Sequence, residues 1–309
     1  MQLSLLIEII IVLVALMLVG YVGAKRGIFT PTVTKAMSAL VFNVFLVSSC
    51  FASICDNVPE MSGGRLVHIM LVLGITIILP YVLAYIACRI FFRGDSDSKP
   101  TAELCMSVMN TLMFGLPIVQ QVYGGESVLY MGLSSVTFNL ILYSFGVWRL
   151  LQAKGGGKVK IKLGNIFTPI FVSTIAGLVF LLLDLPIPSL LKKFMDSTSV
   201  ATLPMSMIVI GATMGAGNLL ETFSDRRVYL VCLVRLIISP LIVWLALSPI
   251  TSDPMLLRTA VVIAGCPCGV VVSVLSLQYD QDALFASRSV MASTLLSVIT
   301  LPVLIMLLG

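Results

Sequence analysis

Residues Asn110-Thr111-Leu112-Met113-Phe114-Gly115-Leu116-Pro117 lie inside an apolar run from Thr101 to Tyr123. A run of that length crosses a bilayer as a helix. Proline lacks a backbone N–H and its ring clashes with the preceding turn, while glycine loosens the chain beside it. Gly115 and Pro117 therefore predict a helix broken near its centre. Backbone groups freed at that depth persist only where protein buries them or where they line a cavity. Gly265-Cys266-Pro267-Cys268-Gly269 repeats the construction inside the run from Met255 to Tyr279. Each second half-helix then points an N-terminus, with free N–H groups and a positive dipole end, toward a polar site.

The surroundings of these two stretches set the class. The chain has 309 residues, 59% of them hydrophobic and only 11% charged, where about 25% charged is usual for a soluble domain. So few charges exclude a soluble enzyme, a nucleic-acid binder and a disordered protein. Ten apolar segments can be marked. They are Leu3 to Val22, Ala36 to Cys55, Leu66 to Phe92, Thr101 to Tyr123 and Val128 to Leu151, then Leu163 to Leu183, Ala201 to Leu220, Val228 to Leu247, Met255 to Tyr279 and Ala283 to Leu308. The loops between them leave no room for a nucleotide-binding domain, which argues against an ATP-driven pump. The N-terminal residues carry no basic region or cleavage site and read as a retained first span.

Charge sidedness gives the orientation. Fourteen of the nineteen Lys and Arg residues flank the loops after odd-numbered spans, four lie on the opposite side, and Arg235 lies within span 8. This bias places the basic loops in the cytoplasm and both termini outside. It predicts an all-α integral membrane protein of ten helices, in the plasma or inner membrane. The only linker-like stretch, residues 152–162, holds three glycines and four lysines at the middle of the chain. It divides residues 1–151 from 163–309, five spans each. An odd number of spans inserts the second half upside down, the inverted repeat of many secondary transporters. Pro80 and Pro117 in spans 3 and 4 are matched in order and depth by Pro240 and Pro267 in spans 8 and 9.

These residues also resemble a known family. The 110–117 stretch followed by Tyr123-Gly124 is similar to the span 4 signature of the auxin efflux carriers, which include bacterial organic-acid permeases. Arg235 with Pro240, the Pro267 region with Gln278-Tyr279-Asp280, and Ser293-Thr294 running to Leu301-Pro302 resemble its later spans. The resemblance implies two inverted five-helix repeats, with spans 1, 2, 6 and 7 as a scaffold, often homodimeric. It further implies a transport domain of spans 3–5 and 8–10, in which the broken spans 4 and 9 cross at their prolines near the midplane. Substrate, an organic anion, sits at that crossing and is carried by an elevator-like movement. Two departures stand out: Val47 occupies the place of a common span 2 proline, and the long hydrophilic central loop of many plant members is absent.

On this reading the substrate site comprises Asn110, Gly115 and Pro117, Ser135 and Asn139 one turn apart on span 5, Asn43 on span 2, and Cys266, Pro267, Cys268 and Gly269. Asn110, about two turns before the break, is expected to hydrogen-bond a carboxylate or hydroxyl. Arg235 either attracts the anion or pairs with a carboxylate, Glu103 or Asp280, and the ion pair is favoured. No acid occupies a span centre, which disfavours coupling through a central carboxylate. The expected partners are a small organic anion such as malate or malonate, the lipid bilayer and a second copy of the chain. No cofactor and no catalytic group is expected. Two other readings stay open: a passive soft-metal carrier using Cys266 and Cys268 with Cys105, Met109 and Met113, and a substrate sensor on the same fold.

Overall fold

The computed structural model describes residues 3–57, 63–92, 98–152, 167–183 and 185–308, and among them every regular element is helical. In chain order these are α1 (Leu3–Lys25), α2 (Pro31–Leu40), α3 (Leu46–Asn57), α4 (Gly63–Phe91), α5 (Lys99–Ser107), α6 (Leu116–Tyr123), α7 (Gly125–Ile141) and α8 (Val147–Gln152). They continue as α9 (Pro169–Leu182), α10 (Ser189–Ser199), α11 (Thr202–Ala216), α12 (Leu219–Thr222), α13 (Arg226–Leu233), α14 (Ser239–Leu247), α15 (Pro254–Gly265), α16 (Val271–Gln278) and α17 (Ala283–Leu307). The linker at 153–162 and the start of span 6 at 163–166 lie outside the described residues.

Among the described residues, seven helical stretches are long and apolar enough to cross a membrane: Glu8–Lys25, Pro31–Ile54, Gly64–Phe91, Gly125–Gln152, Ser189–Ala216, Arg226–Leu247 and Ala283–Leu307. The stretches Pro169–Phe180 and Pro254–Gly265 are apolar but shorter. One element was not expected. The loop before Ala201 holds a helix, α10, whose Leu190, Leu191, Phe194 and Met195 are interleaved with Lys192, Lys193 and Asp196, so no continuous apolar run marks it.

Helix starts follow local chemistry. Asp225, Asp253 and Asp282 cap α13, α15 and α17, accepting from Arg227 N, from Met255 N and Leu256 N, and from Phe285 N at 2.9–3.0 Å. A carboxylate there meets orphan N–H groups and the positive end of the helix dipole. Scarce acids thus stand at helix ends. Four π turns join consecutive helices: Val41–Phe45, Thr111–Gly115, Leu142–Gly146 and Val234–Ile238. Two of them end just before a proline, Pro117 and Pro240. The wider turn absorbs the lost N–H and the clash with the carbonyl four residues back. Pro80 lies instead within the continuous helix α4.

The chain forms two compact units. Unit 1 comprises Met1–Met70, Leu112–Ser135 and Phe167–Asn218, and unit 2 comprises Leu71–Thr111, Val136–Ile166 and Leu219–Gly309. In unit 1, α1 packs closely on α11. A Cβ on Gly20 would overlap the Ile208 carbonyl, and one on Gly211 would overlap that of Met17. Small residues that let backbones approach are the usual glue of helices in lipid. Thr202 Oγ1 donates to the Phe45 carbonyl at 3.0 Å, at the end of the first π turn, and Arg65 pairs with Glu126 at 2.9 Å. Unit 2 holds both interruptions, while α6, the second half of the first broken helix, belongs to unit 1.

Candidate functional site

The interruption between α5 and the following π turn spans 108–110, and that between α15 and α16 spans 266–270. At these points the two chains pair. The Asn110 N–H donates to the Pro267 carbonyl at 2.8 Å, and the Gly269 N–H donates to the Val108 carbonyl at 3.0 Å. Met109 and Cys268 face each other as an isolated antiparallel pair. Gly269 makes this approach possible, since a Cβ there would press on Val108 Cγ1 at 3.0 Å and the Met109 carbonyl at 3.3 Å. The helices do cross, with one correction. On the first chain the crossing falls at 108–110, upstream of Gly115 and Pro117, which lie in the π turn and at the start of α6.

Every broken helix leaves carbonyls at its C-terminus without their i+4 donors. Pro267 has no N–H for Ile263, and Asn110 and Cys268 have turned theirs elsewhere. One side chain meets the deficit. Arg235, fully buried, donates through Nη2 to Ala264 (2.6 Å) and Ile263 (3.5 Å), and through Nη1 to Met106 (3.1 Å) and Ser107 (3.3 Å). Its Nε donates to Cys266 at 2.9 Å. The planar fork of arginine suits this multiple task. The charge is offset by the negative dipole ends of α5 and α15. The expected ion pair with Glu103 or Asp280 is therefore corrected: Arg235 binds backbone. Glu103 is taken by Arg149, in two bonds of 2.7 and 2.6 Å.

Side chains beside the crossing also bond backbone. Cys268 N donates to Ser293 Oγ on α17 at 3.0 Å, and Ser293 Oγ donates in turn to Val290. The thiols of Cys266 and Cys268 donate to the Val262 and Cys105 carbonyls at 3.3 and 2.9 Å, and both residues are fully buried. Among the described residues no cluster of three His, Cys, Asp or Glu side chains is placed to hold a metal ion.

Unit 2 therefore brings together Asn110, Arg235, Cys266, Pro267, Cys268 and Gly269. Asn110 sits in the break itself, two turns nearer the crossing than its spacing from Pro117 suggested. It is 9% exposed, and its side-chain amide makes no hydrogen bond among the described residues. Asn139 on α7 belongs to the same unit, is 8% exposed and likewise leaves its amide unbonded. The other expected residues belong to unit 1. Ser135 is buried and donates to Gly132 at 2.6 Å. Asn43 is exposed, and its amide donates to Ala39 on its own helix at 2.7 Å. Ser293 was missed, because a serine within a long apolar helix gives no sign that it will meet a distant N–H.

An all-helical chain of apolar spans with two interrupted helices bound through their backbones has the construction of a membrane carrier. Family comparison agrees: the chain belongs to the membrane transport protein family, that of the auxin efflux carriers, whose model matches residues 5–305. A Methanothermobacter thermautotrophicus protein described as "Uncharacterized transporter" is 26% identical over 298 residues, 96% of each chain. A Rhizobium meliloti protein described as "Putative malonate transporter" is 31% identical over 159 residues, 49% of each chain. The Escherichia coli "Uncharacterized transporter YfdV" is 23% identical over 239 residues, 74% of each chain.

Proposed function

We propose that this protein is a secondary transporter of a small carboxylate of the malonate or malate kind. The observation that carries the reading is Asn110. Its backbone is committed to the crossing, while its side-chain amide makes no hydrogen bond among the described residues and keeps some accessible surface. An amide left free in this way can meet a ligand, and a carboxylate supplies acceptors for its N–H groups. The positive charge of Arg235 favours an anion nearby, although its donors are committed to carbonyls. The malonate description of the Rhizobium meliloti relative supports the same substrate class.

The proposed architecture is ten spans in two inverted five-span repeats, residues 1–151 and 163–309, with the crossing near the bilayer midplane. Support comes from the one interrupted helix in each half, at 108–110 and 266–270. In the proposed cycle the crossing-bearing spans 3–5 and 8–10 move as an elevator against a scaffold of spans 1, 2, 6 and 7, which also forms a homodimer. Both interruptions and Arg235 belong to unit 2, and a moving body of this kind would have to carry α6 and the first part of α7 from unit 1 with it. The basic loops face the cytoplasm of a cell membrane, and both termini face outward.

Ligand stabilisation of purified protein tests the substrate class. A ligand at a hundred times its Kd adds about 2.7 kcal/mol to stability. Malonate or a close dicarboxylate should raise the apparent Tm, and neutral diamides of the same size should not. A panel in which no carboxylate stabilises the protein would remove the reading.

A further inference from the structure

The break in the first chain orphans one more carbonyl. In a continuing helix the Cys105 carbonyl would accept from Met109 N, but α5 ends at Ser107 and Met109 pairs across the crossing with Cys268. The Cys268 thiol meets that carbonyl instead, donating to it at 2.9 Å across 163 positions of sequence. The same approach brings two side chains together. The Cys105 and Cys268 thiols also bond each other, one from each interrupted chain and both within unit 2. Both are free and fully buried. Thiols held side by side from two segments are what a disulfide joins.

The surroundings suit oxidation of this pair. The Arg235 guanidinium lies close enough to act on Cys268 through its charge, and its Nε is fixed on the Cys266 carbonyl at 2.9 Å. A thiol attacks an oxidant as its anion, and a fixed positive charge offsets that anion in an apolar surrounding. Beside Cys105, the buried Ser289 hydroxyl finds no hydrogen-bond partner of ordinary geometry. It can donate to a sulfur anion or to the oxygen of a sulfenic acid. Asn110, bonded to Pro267 next to Cys268, keeps accessible surface, so a molecule hardly larger than water comes within a residue of the pair. Cys266, by contrast, spends its thiol on Val262 in its own helix at 3.3 Å.

We propose that Cys105 and Cys268 form a redox-modification site, which hydrogen peroxide converts to a disulfide across the crossing. The Cys268 sulfur attacks one peroxide oxygen. An S–O bond forms, the O–O bond breaks, and the second oxygen leaves as water with the Cys268 proton. The Cys105 sulfur then attacks the Cys268 sulfur. An S–S bond forms, the S–O bond breaks, and the hydroxyl leaves as water with the Cys105 proton. The two thiols lose two electrons, which reduce one peroxide to two waters. The disulfide removes the donor from the Cys105 carbonyl and ties α5 to the segment that bonds Asn110, so oxidation stops transport. That last consequence rests on the proposed carrier function; the bridge itself does not.

Peptide mass spectrometry of the full-length protein in nanodiscs tests the site. After hydrogen peroxide, free thiols are alkylated and the protein is digested without reductant. Peptides holding Cys105 and Cys268 should appear joined, lighter by two hydrogens than their sum, and dithiothreitol should separate them. C105S and C105A should each lose the joined species. In proteoliposomes, peroxide should lower malonate uptake by wild type severalfold, dithiothreitol should restore it, and C105S should hold its own rate through the treatment. Alkylation of both thiols after peroxide, or their oxidation to sulfinic or sulfonic acid without a bridge, would overturn the proposal. A bridge with unchanged uptake would overturn the arrest. A bridge in a protein that moves no carboxylate even before oxidation would leave the redox site standing and remove the carrier reading alone.

Discussion

Arg235 donates through Nη2 to the Ala264 carbonyl at 2.6 Å, across 29 residues of sequence. This bond is one of five that this guanidinium makes, all to main-chain carbonyls at or just past the ends of two different helices. The charge is thus the clasp of the crossing. The interruptions could not coexist in an apolar surrounding without some donor to meet those carbonyls.

Replacing Arg235 should therefore disrupt the fold before it alters any substrate contact. R235M should lower stability by about 3 kcal/mol or more, because several buried carbonyls at about 1–3 kcal/mol each lose their donor. R235K should fall between, since an ammonium has three donors and no planar fork. Apparent Tm in detergent measures the order, and hydrogen exchange at Gly269 should rise in both variants. An R235M protein as stable as wild type would show that other groups hold the crossing.

Glu103 and Arg149 form the ion pair that Arg235 does not. Glu103 is buried and Arg149 partly exposed, so breaking the pair on one side should cost less than the roughly 3–5 kcal/mol of a fully buried pair. R149Q, which strands the carboxylate, should be the more damaging single change, and E103Q/R149Q should recover part of the loss. A double-mutant cycle on apparent Tm measures the coupling; strictly additive losses would argue against it.

Gly211 should tolerate no side chain larger than hydrogen. G211V drives its branches into the Met17 carbonyl, and overpacking of this kind costs typically about 1–3 kcal/mol. Gly20 faces the same helix pair, so G20A and G211A should combine non-additively. Thermal unfolding of the two singles and the double checks this.

Asp225 caps α13, and the Arg227 guanidinium beside it holds its carboxyl below the ordinary carboxylate range. A lowered folded-state pKa contributes stability above the unfolded value of about 3.9, and the contribution fades as pH falls through the folded value. Between pH 7 and 5 this group should change nothing. Below about pH 4 wild type should lose stability more steeply than D225N, which keeps a capping acceptor without the charge. Acid titration of the two proteins in nanodiscs compares them.

Much of this was readable from residue types. The Cys266-Pro267-Cys268 interruption was legible because proline has no N–H for Ile263 and pushes Cys266 toward extended backbone. The break at Val108-Met109-Asn110 was not, because none of the three is a helix breaker. Asn110 leaves the helix to bond Pro267, a partner 157 positions away. Gly115 and Pro117 drew the break toward themselves, whereas a π turn absorbs that proline. Arg235 was legible as a buried charge but not in its partners, since backbone carbonyls carry no residue signature. The expected Asn43 contact failed for a local reason, as its amide is spent on Ala39 within its own helix.

The most direct test of the account is the initial rate of labelled malonate uptake into proteoliposomes holding equal amounts of wild type or N110A. The account predicts saturable uptake by wild type and a loss of about tenfold or more in N110A. That loss corresponds to one hydrogen bond to a charged group, about 1.5–3 kcal/mol, with apparent Tm nearly unchanged. Uptake of no carboxylate above protein-free liposomes, or equal rates for wild type and N110A, would contradict it.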